Sequence, residues 1–208
     1  MNLMNFSLDT IITKLLMLPG IIIGLSFHEF AHAFTSDRLG DPTPRRQGRV
    51  TLNPLAHIDW MGFIALLLLG FGWGKPVMID PSYYKNRRRD EFLVGIAGVT
   101  MNFILAVLLS LPLRLMRTAG SSAVVQDLIF IIYYAVMINL VLMVFNLIPC
   151  PPLDGWGLLT QVFKLDRYPW WNQVYQRGSW ILLFLLLTNI TSRIITPIVS
   201  RLMNILLN

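Results

Sequence analysis

Four long apolar runs limit what this 208-residue chain can fold into more than any other feature. They cover residues 11–35, 92–113, 128–149 and 179–204, and each is about as long as the roughly 20 residues a helix needs to cross a bilayer. Hydrophobic residues make up 55% of the chain and charged residues only 13%, which is unlike a soluble domain. The sequence therefore predicts an all-α polytopic membrane protein that forms a single transmembrane domain over residues 1–208.

A fifth, shorter apolar run leaves the number of transmembrane helices at four to five. It extends from Met61 to Phe71, about half the length of a span, and a glycine-rich turn follows it before Lys75. Short apolar arms around such a turn are typical of a re-entrant hairpin, which we predict over 58–77. A full crossing of the membrane is the alternative.

The lysine and arginine residues are divided unevenly between the loops. If 58–77 dips into the membrane and returns, twelve cations lie on the side of residues 36–90 and 151–178, and five lie on the opposite side. Because cytoplasmic loops carry the excess of such residues, we predict a multi-pass protein of the cell membrane with both termini outside. Loops facing anionic lipid also account for the net charge of +6, so the bilayer is the expected partner and nucleic acid is not.

The first apolar run contains the sequence His28-Glu29-Phe30-Ala31-His32. Residues four apart share one face of a helix, so His28 and His32 can bind one metal ion while Glu29 can reach a metal-bound water. Two hydrogen-bonded packing histidines are the alternative, but that interpretation leaves an unmatched glutamate in hydrocarbon. The pattern predicts a zinc site in which Glu29 is the general base.

Asp154 is our candidate for the third ligand, since catalytic zinc usually has three protein ligands and one open position. It follows a span and is framed by prolines and by Gly155, and irregular backbone at membrane depth lines a cavity. A turn or helix-capping role for Asp154 is the alternative. Cys150 is a further candidate ligand, although a small buried packing residue is the simpler interpretation.

Several motifs in order resemble the site-2 protease family of intramembrane zinc metalloproteases, peptidase family M50. They are His28 to His32, Asn53 to Asp59, Gly74 to Val77, Gly98 with Asn102, and Asn146 to Gly155. They fall within about residues 20–165 and look most like the short bacterial members without PDZ or CBS domains. Residues 179–204 are then an additional C-terminal transmembrane helix. The chain departs from the family pattern at Val99, where proline usually follows the glycine.

The resemblance implies an enzyme of regulated intramembrane proteolysis. One zinc ion is expected on His28, His32 and Asp154, with Glu29 activating the zinc-bound water, and transmembrane proteins are the expected substrates. Cleavage is expected toward the cytoplasmic side, and a re-entrant β-hairpin is expected to pair with unwound substrate. The resemblance also implies that Asn146 positions substrate or stabilises the oxyanion.

Two further polar residues have two interpretations each. Asn102 is a candidate for contact with substrate or the oxyanion, but polar residues in spans also link helices, and this holds for Asn146 as well. His57 is either a partner or gate of the zinc site or a loop residue bonded to Asp59.

Two other classes of function are weighed against proteolysis. A zinc-binding scaffold that has lost catalysis is disfavoured because Glu29 is intact. A metal transporter needs acidic or histidine sites along a path through the membrane, and the sequence shows a single cluster.

Overall fold

A computed structural model describes residues 8–69, 72–116 and 122–208, and within these ranges the chain is mostly helical. Short 3-10 turns lie at Pro54–Ala56, Pro81–Tyr83 and Leu165–Arg167. The α-helices of the described ranges are α1 (Leu8–Arg38), α2 (Thr43–Arg46), α3 (Trp60–Leu69), α4 (Arg87–Met116), α5 (Ala123–Asn146), α6 (Asp154–Phe163), α7 (Pro169–Leu187) and α8 (Ile190–Leu207).

Helices α1, α4, α5 and α8 are long and apolar enough to cross a membrane, which confirms the prediction of a polytopic all-α protein. Helices α1, α4 and α5 pack against one another, and α8 packs against α5 and α4. Their apolar core lies toward the end of the bundle where α4 ends, and its buried members are Ala106, Leu113, Val136, Leu140, Val144, Val199 and Met203.

Helix α1 is a single helix that continues through Pro19 and Gly20. Gly20 is a point of close approach to α5. A Cβ atom at Gly20 would lie 2.7 Å from Cα of Ala135, so only glycine lets the two backbones meet here.

The predicted β-hairpin over 58–77 is wrong in its secondary structure. Its first arm is the helix α3, and among the described residues the antiparallel pairing is one bridge between Ile58 and Gly74. The run is rich in leucine and lacks the alternating polar residues of a half-buried strand. The N–H of Gly62 donates to Oδ1 of Asp59 (2.9 Å), which supports the start of the helix. Part of the predicted turn, residues 70 and 71, lies outside the described residues.

A C-terminal helix long and apolar enough to cross the membrane is present, but its bounds differ from the predicted 179–204, because α7 ends at Leu187 and α8 begins at Ile190. Asn189 between them has φ 56°, a left-handed conformation that asparagine tolerates better than most residues. The Thr188 hydroxyl donates to the Phe184 carbonyl (2.8 Å) and satisfies one acceptor at the end of α7. An apolar run therefore does not by itself determine a continuous helix.

We predict that Gly20→Ala destabilises the bundle, because the added methyl group must push α5 away from α1. Overpacking of this kind costs about 1–3 kcal/mol, measurable as a lower midpoint of thermal unfolding in detergent. Gly157→Ala is the matched control, since a Cβ there meets no atom within 4 Å. Equal midpoints for the two variants would contradict the close approach of α1 and α5.

Candidate metal centre

Three side chains from α1 and α6 converge on one point. The Nε2 atoms of His28 and His32 lie 3.0 Å apart, and Oδ2 of Asp154 lies 3.2 Å from the first and 3.3 Å from the second. In a tetrahedral zinc site with bonds of about 2.0–2.1 Å, neighbouring ligand atoms are about 3.3 Å apart. The three atoms therefore have the spacing that a tetrahedral ion requires.

Helix α4 determines which nitrogen of each histidine carries the proton. Nδ1 of His28 lies 2.7 Å from Oδ1 of Asn102, and Nδ1 of His32 lies 2.7 Å from the Val94 carbonyl. Both oxygens are acceptors, so each Nδ1 donates, and in the neutral imidazole Nε2 is left with a free lone pair.

The donor set consequently fits a cation. Two imidazole lone pairs and one carboxylate oxygen face one another with no donor between them, and Oδ2 of Asp154 is buried without a hydrogen-bond donor. Three electron-rich atoms at such distances repel each other unless a positive charge lies among them. Imidazole nitrogen and carboxylate oxygen are ligands that zinc accepts, and three protein ligands leave a fourth position open.

Asp154 is the first residue of α6, and Leu153 occupies the capping position before it. Its carboxylate is directed to the histidines and makes no capping hydrogen bond, in contrast to the capping interpretation. An aspartate side chain is ordinarily ionised at neutral pH, and the carboxylate is the form that binds metal.

Gly98 allows α4 to approach the histidines. A Cβ atom here would lie 2.5 Å from Nε2 of His32 and 2.6 Å from Cε1 of His28. Gly95, one turn earlier, faces Leu158 of α6 with a Cβ distance of 3.3 Å. The two glycines thus bring α4 against α1 and α6, and Gly98 leaves room for the imidazole rings.

Asn102 lies behind His28 and is fully buried. Its amide nitrogen donates to the Gly24 carbonyl and to Oδ1 of Asn139, both at 3.0 Å, while its oxygen accepts from His28. Asn139 in turn donates to the Ala135 carbonyl (2.8 Å). The sequence analysis missed Asn139, although an amide within the apolar run 128–149 is a signal for a link between helices.

A cavity of about 440 Å³ opens beside the three ligand atoms. Glu29 and Asn146 line it together with His28, His32 and Asp154. Its remaining walls come from α4, from the segment before it, and from α6 and α7, and include Pro76, Val77, Ile79, Val94, Trp156, Trp171 and Tyr175. Oε2 of Glu29 accepts a hydrogen bond from the Val77 N–H at 3.2 Å.

The segment of residues 75–80 has no regular secondary structure and is held at both ends. At one end the Lys75 N–H donates to the His57 carbonyl (2.9 Å), and at the other the Asp80 N–H donates to Oδ2 of Asp41 (2.8 Å). Burial raises the pKa of Asp41, but hydrogen bonds from Thr43, Asp80 and Ser36 outweigh it and lower the pKa. An ionised Asp41 therefore secures this segment to the end of α1.

The remaining sequence candidates lie in different places. Asn146, the last residue of α5, reaches the cavity and donates one N–H to the Leu142 carbonyl (3.0 Å). His57 is buried outside the cavity lining, and its Nε2 lies 2.8 Å from the Thr51 carbonyl, so the expected bond to Asp59 is replaced. Cys150 is buried against the Gly178 carbonyl and is not among the clustered ligand atoms.

We predict that Gly98→Ala lowers the zinc content of the purified protein, because the methyl group and the two imidazole rings would occupy the same space. Elemental mass spectrometry measures the bound zinc per protein. The control variant is Gly95→Ala, whose Cβ meets only the movable end of the Leu158 side chain. Full zinc occupancy in Gly98→Ala would contradict the close contact between α4 and the histidines.

Asn102→Leu is expected to weaken zinc binding by about 10–100-fold, because the residue fixes the ring orientation and tautomer of His28. Competition with a chelator measures the zinc dissociation constant. Ser110→Ala is the control, since Ser110 is buried in the same helix but bonds only its own turn. If both variants bind zinc as the unaltered protein does, Asn102 does not orient the ligand.

Comparison with known proteins agrees with this geometry. The sequence profile of peptidase family M50 matches residues 109–189, which include Asn146 and Asp154. The chain is 35% identical over 185 residues to "Putative zinc metalloprotease YwhC" of Bacillus subtilis, covering 86% of this chain and 84% of that protein. It is 30% identical over 185 residues to "Putative zinc metalloprotease Rip2" of Mycolicibacterium smegmatis, covering 86% and 69%.

The Rip2 protein of Mycobacterium tuberculosis is 32% identical over 150 residues, which are 69% of this chain and 56% of that protein. No solved structure matches the chain significantly. The first two of these relatives are at least 30% identical to this chain over 86% of its length and more than two thirds of their own. The chain therefore belongs to peptidase family M50, the site-2 protease family.

Proposed function

We propose that this M50 peptidase is an intramembrane zinc endopeptidase that hydrolyses peptide bonds in transmembrane segments of other membrane proteins. One observation carries the proposal: the three clustered ligand atoms and Glu29 share one cavity, and the histidines and Glu29 belong to a helix apolar enough to cross the membrane. Ionisable residues in spans are costly and occur where they serve a function.

The site lies below the surface of the membrane in this proposal. Arg38 is the last residue of α1, and His32 and His28 lie six and ten residues before it, about 9 and 15 Å of helix. Water must therefore reach the reacting bond through the cavity of about 440 Å³.

His28, His32 and Asp154 hold the one zinc ion in this mechanism. When bound, zinc supplies a positive charge that polarises the scissile carbonyl and favours deprotonation of the attacking water. Glu29 accepts a proton from that water as a new C–O bond forms, and then transfers it to the leaving amine as the C–N bond breaks. The Val77 N–H holds one oxygen of Glu29 and leaves the other free for the proton.

Asn146 is the proposed contact for substrate or for the developing oxyanion. Its amide lies at the edge of the cavity, and the bond to the Leu142 carbonyl uses one of its two N–H groups. The second N–H and the amide oxygen are available for a peptide group in the cleft. Asn102 has no such role in the proposal, because its amide is buried behind His28.

The cleft favours an extended peptide over a helix. Residues 76–79 lie along one wall without regular secondary structure, and Trp171 and Tyr175 stack on each other along another wall. A peptide bond within a helix is shielded by the helix itself, whereas an unwound strand can pair with an exposed edge. We therefore infer that substrate unwinds and lies against residues 76–79, the role first expected of a β-hairpin.

The segment 58–77 is re-entrant in this proposal even though its first arm is helical. Ile58 pairs with Gly74, so the segment returns to the point where it began. Gly74 faces Leu25 of α1, while Nζ of Lys14 donates to the Leu67 carbonyl (2.7 Å). Leu25 and Lys14 are eleven residues apart on α1, which corresponds to about 16 Å of helix. Helix α3 therefore extends along α1 over roughly half the thickness of the membrane.

The side of cleavage follows from the same path. With 58–77 re-entrant, the basic loops 36–57, 75–89 and 151–178 share the end of the bundle that holds the metal centre. The excess of cations makes this end cytoplasmic. Cleavage near the cytoplasmic face would release the cytoplasmic part of a substrate.

Glu29→Gln is expected to lower kcat by about 10²–10⁴-fold while zinc stays bound, because glutamine cannot accept the proton from water. Cleavage of a model transmembrane substrate by the purified enzyme in proteoliposomes measures this. Asp127→Asn, which removes one negative charge from an exposed site on α5, should cleave at the unaltered rate. Cleavage by Glu29→Gln at the unaltered rate would refute the assignment of the base.

Removal of zinc by a chelator should abolish cleavage, and added zinc should restore it. A chain that binds zinc but cleaves no membrane substrate would instead be a non-proteolytic scaffold.

A further inference from the structure

Arg49 is a buried cation in a loop whose other arginines are exposed. Only 3% of its surface is accessible, whereas Arg46 is exposed and Arg45 is an exposed partner of Asp37. Burying a guanidinium is costly unless it is paired or hydrogen-bonded. Its Nη1 atom is buried without any acceptor, so local hydrogen bonding does not fully account for the burial.

The other terminal nitrogen of Arg49, Nη2, binds the start of the segment of residues 75–80. Nη2 donates to the Lys75 carbonyl and to the Pro76 carbonyl, the second at 2.8 Å. The Lys75 N–H is bonded to the His57 carbonyl from the same loop. Residues 49–57 therefore hold the Lys75 backbone on both its N–H and its C=O.

The Pro76 carbonyl and the Val77 N–H belong to one peptide group. A peptide group is planar and its C=O and N–H point in opposite directions, so fixing one side fixes the other. Arg49 binds the oxygen side of this group, and the N–H side donates to Oε2 of Glu29. A donor on the carbonyl also polarises the peptide and strengthens the bond that its N–H makes.

The charges agree with this connection. Burial lowers the pKa of Arg49, and the negative charge of Glu29 opposes that change. The Pro76–Val77 peptide group lies between the two side chains and is bonded to both.

We propose that Arg49 is a positioning residue, which sets the place of the Glu29 carboxylate through the rigid Pro76–Val77 peptide group. The proposal rests on the proposed function in that it takes Glu29 as the base. It gives a function to Arg49 and to the loop before His57, neither of which contacts the metal site. It also explains why an arginine lies in the interior, since a single group must reach two successive carbonyl oxygens.

The first test compares Arg49→Gln and Arg49→Lys with Arg46→Gln, which removes the same charge from an exposed site. Misplacement of a catalytic group by about 1 Å can cost 10²-fold, so kcat of Arg49→Gln should fall by about 10–100-fold. Arg49→Lys should fall less, because an ammonium group can still bind one carbonyl. Zinc content should stay equal in all three variants, since no metal ligand touches Arg49.

A double-mutant cycle separates positioning from a general structural role. Val77→Pro removes the N–H that holds Glu29, and if Arg49 acts through that N–H, adding Arg49→Gln should lower kcat little further. Multiplicative losses in kcat would overturn the proposal. Hydrogen exchange gives a readout independent of activity: amides of residues 75–79 should exchange faster in Arg49→Gln and Arg49→Lys, while α1 stays protected.

Glu29→Gln measured in parallel keeps the two proposals distinct. If Glu29→Gln is inactive but Arg49→Gln and Arg49→Lys cleave at the unaltered rate, only the role of Arg49 is refuted. If Glu29→Gln cleaves normally, the assignment of Glu29 as the base fails and the role of Arg49 fails with it, and faster exchange at 75–79 would show only that Arg49 holds the segment.

Discussion

The convergence of three electron-rich atoms between α1 and α6 is the constraint on which the rest of this structure depends. Nε2 of His28, Nε2 of His32 and Oδ2 of Asp154 lie 3.0–3.3 Å from one another inside a bundle of apolar helices. Such an arrangement is stable only with a cation among the three atoms and with a proton acceptor behind each imidazole. Helix α4 provides both acceptors, and Gly98 provides the space that lets α4 reach them.

The same requirement explains the polar residues elsewhere in the spans. An amide in an apolar bundle must satisfy its donors and acceptors within the protein, since neither lipid nor water is at hand. Asn102 does so by joining α1, α4 and α5 through His28, Gly24 and Asn139. One buried amide thereby orients a ligand and links three helices, and the missing proline after Gly98 leaves these contacts intact.

The proposed base, Glu29, contacts a different part of the chain from the proposed metal ligands. Glu29 follows His28 on α1, but its hydrogen-bond partner is Val77, on a segment held by the loop of residues 49–57. The ligand geometry comes from helix packing, whereas in the proposal above the placement of Glu29 depends on the non-helical segment that contains Val77. Variation in that segment can therefore alter catalysis without altering metal binding.

The sequence by itself determined the parts of this protein that depend on local spacing and hydropathy. Four spanning helices follow from runs of about 20 apolar residues, and the pairing of His28 with His32 follows from 3.6 residues per turn. Asp154 was identified as a candidate because few acids lie near the end of a span. Each of these inferences needs only the residues of one segment or a count of one residue type.

Only the tertiary structure decided which side chains meet across helices. The hydrogen bonds of Asn102, of Arg49 and of Glu29 with Val77 join residues that are 26 to 78 positions apart in the sequence. The helical form of residues 60–69 and the break at Asn189 were also decided there, because hydropathy measures transfer into lipid and not backbone conformation. Composition predicted a membrane protein and the motifs predicted a metalloprotease, but packing determines how the proposed base and ligands are held.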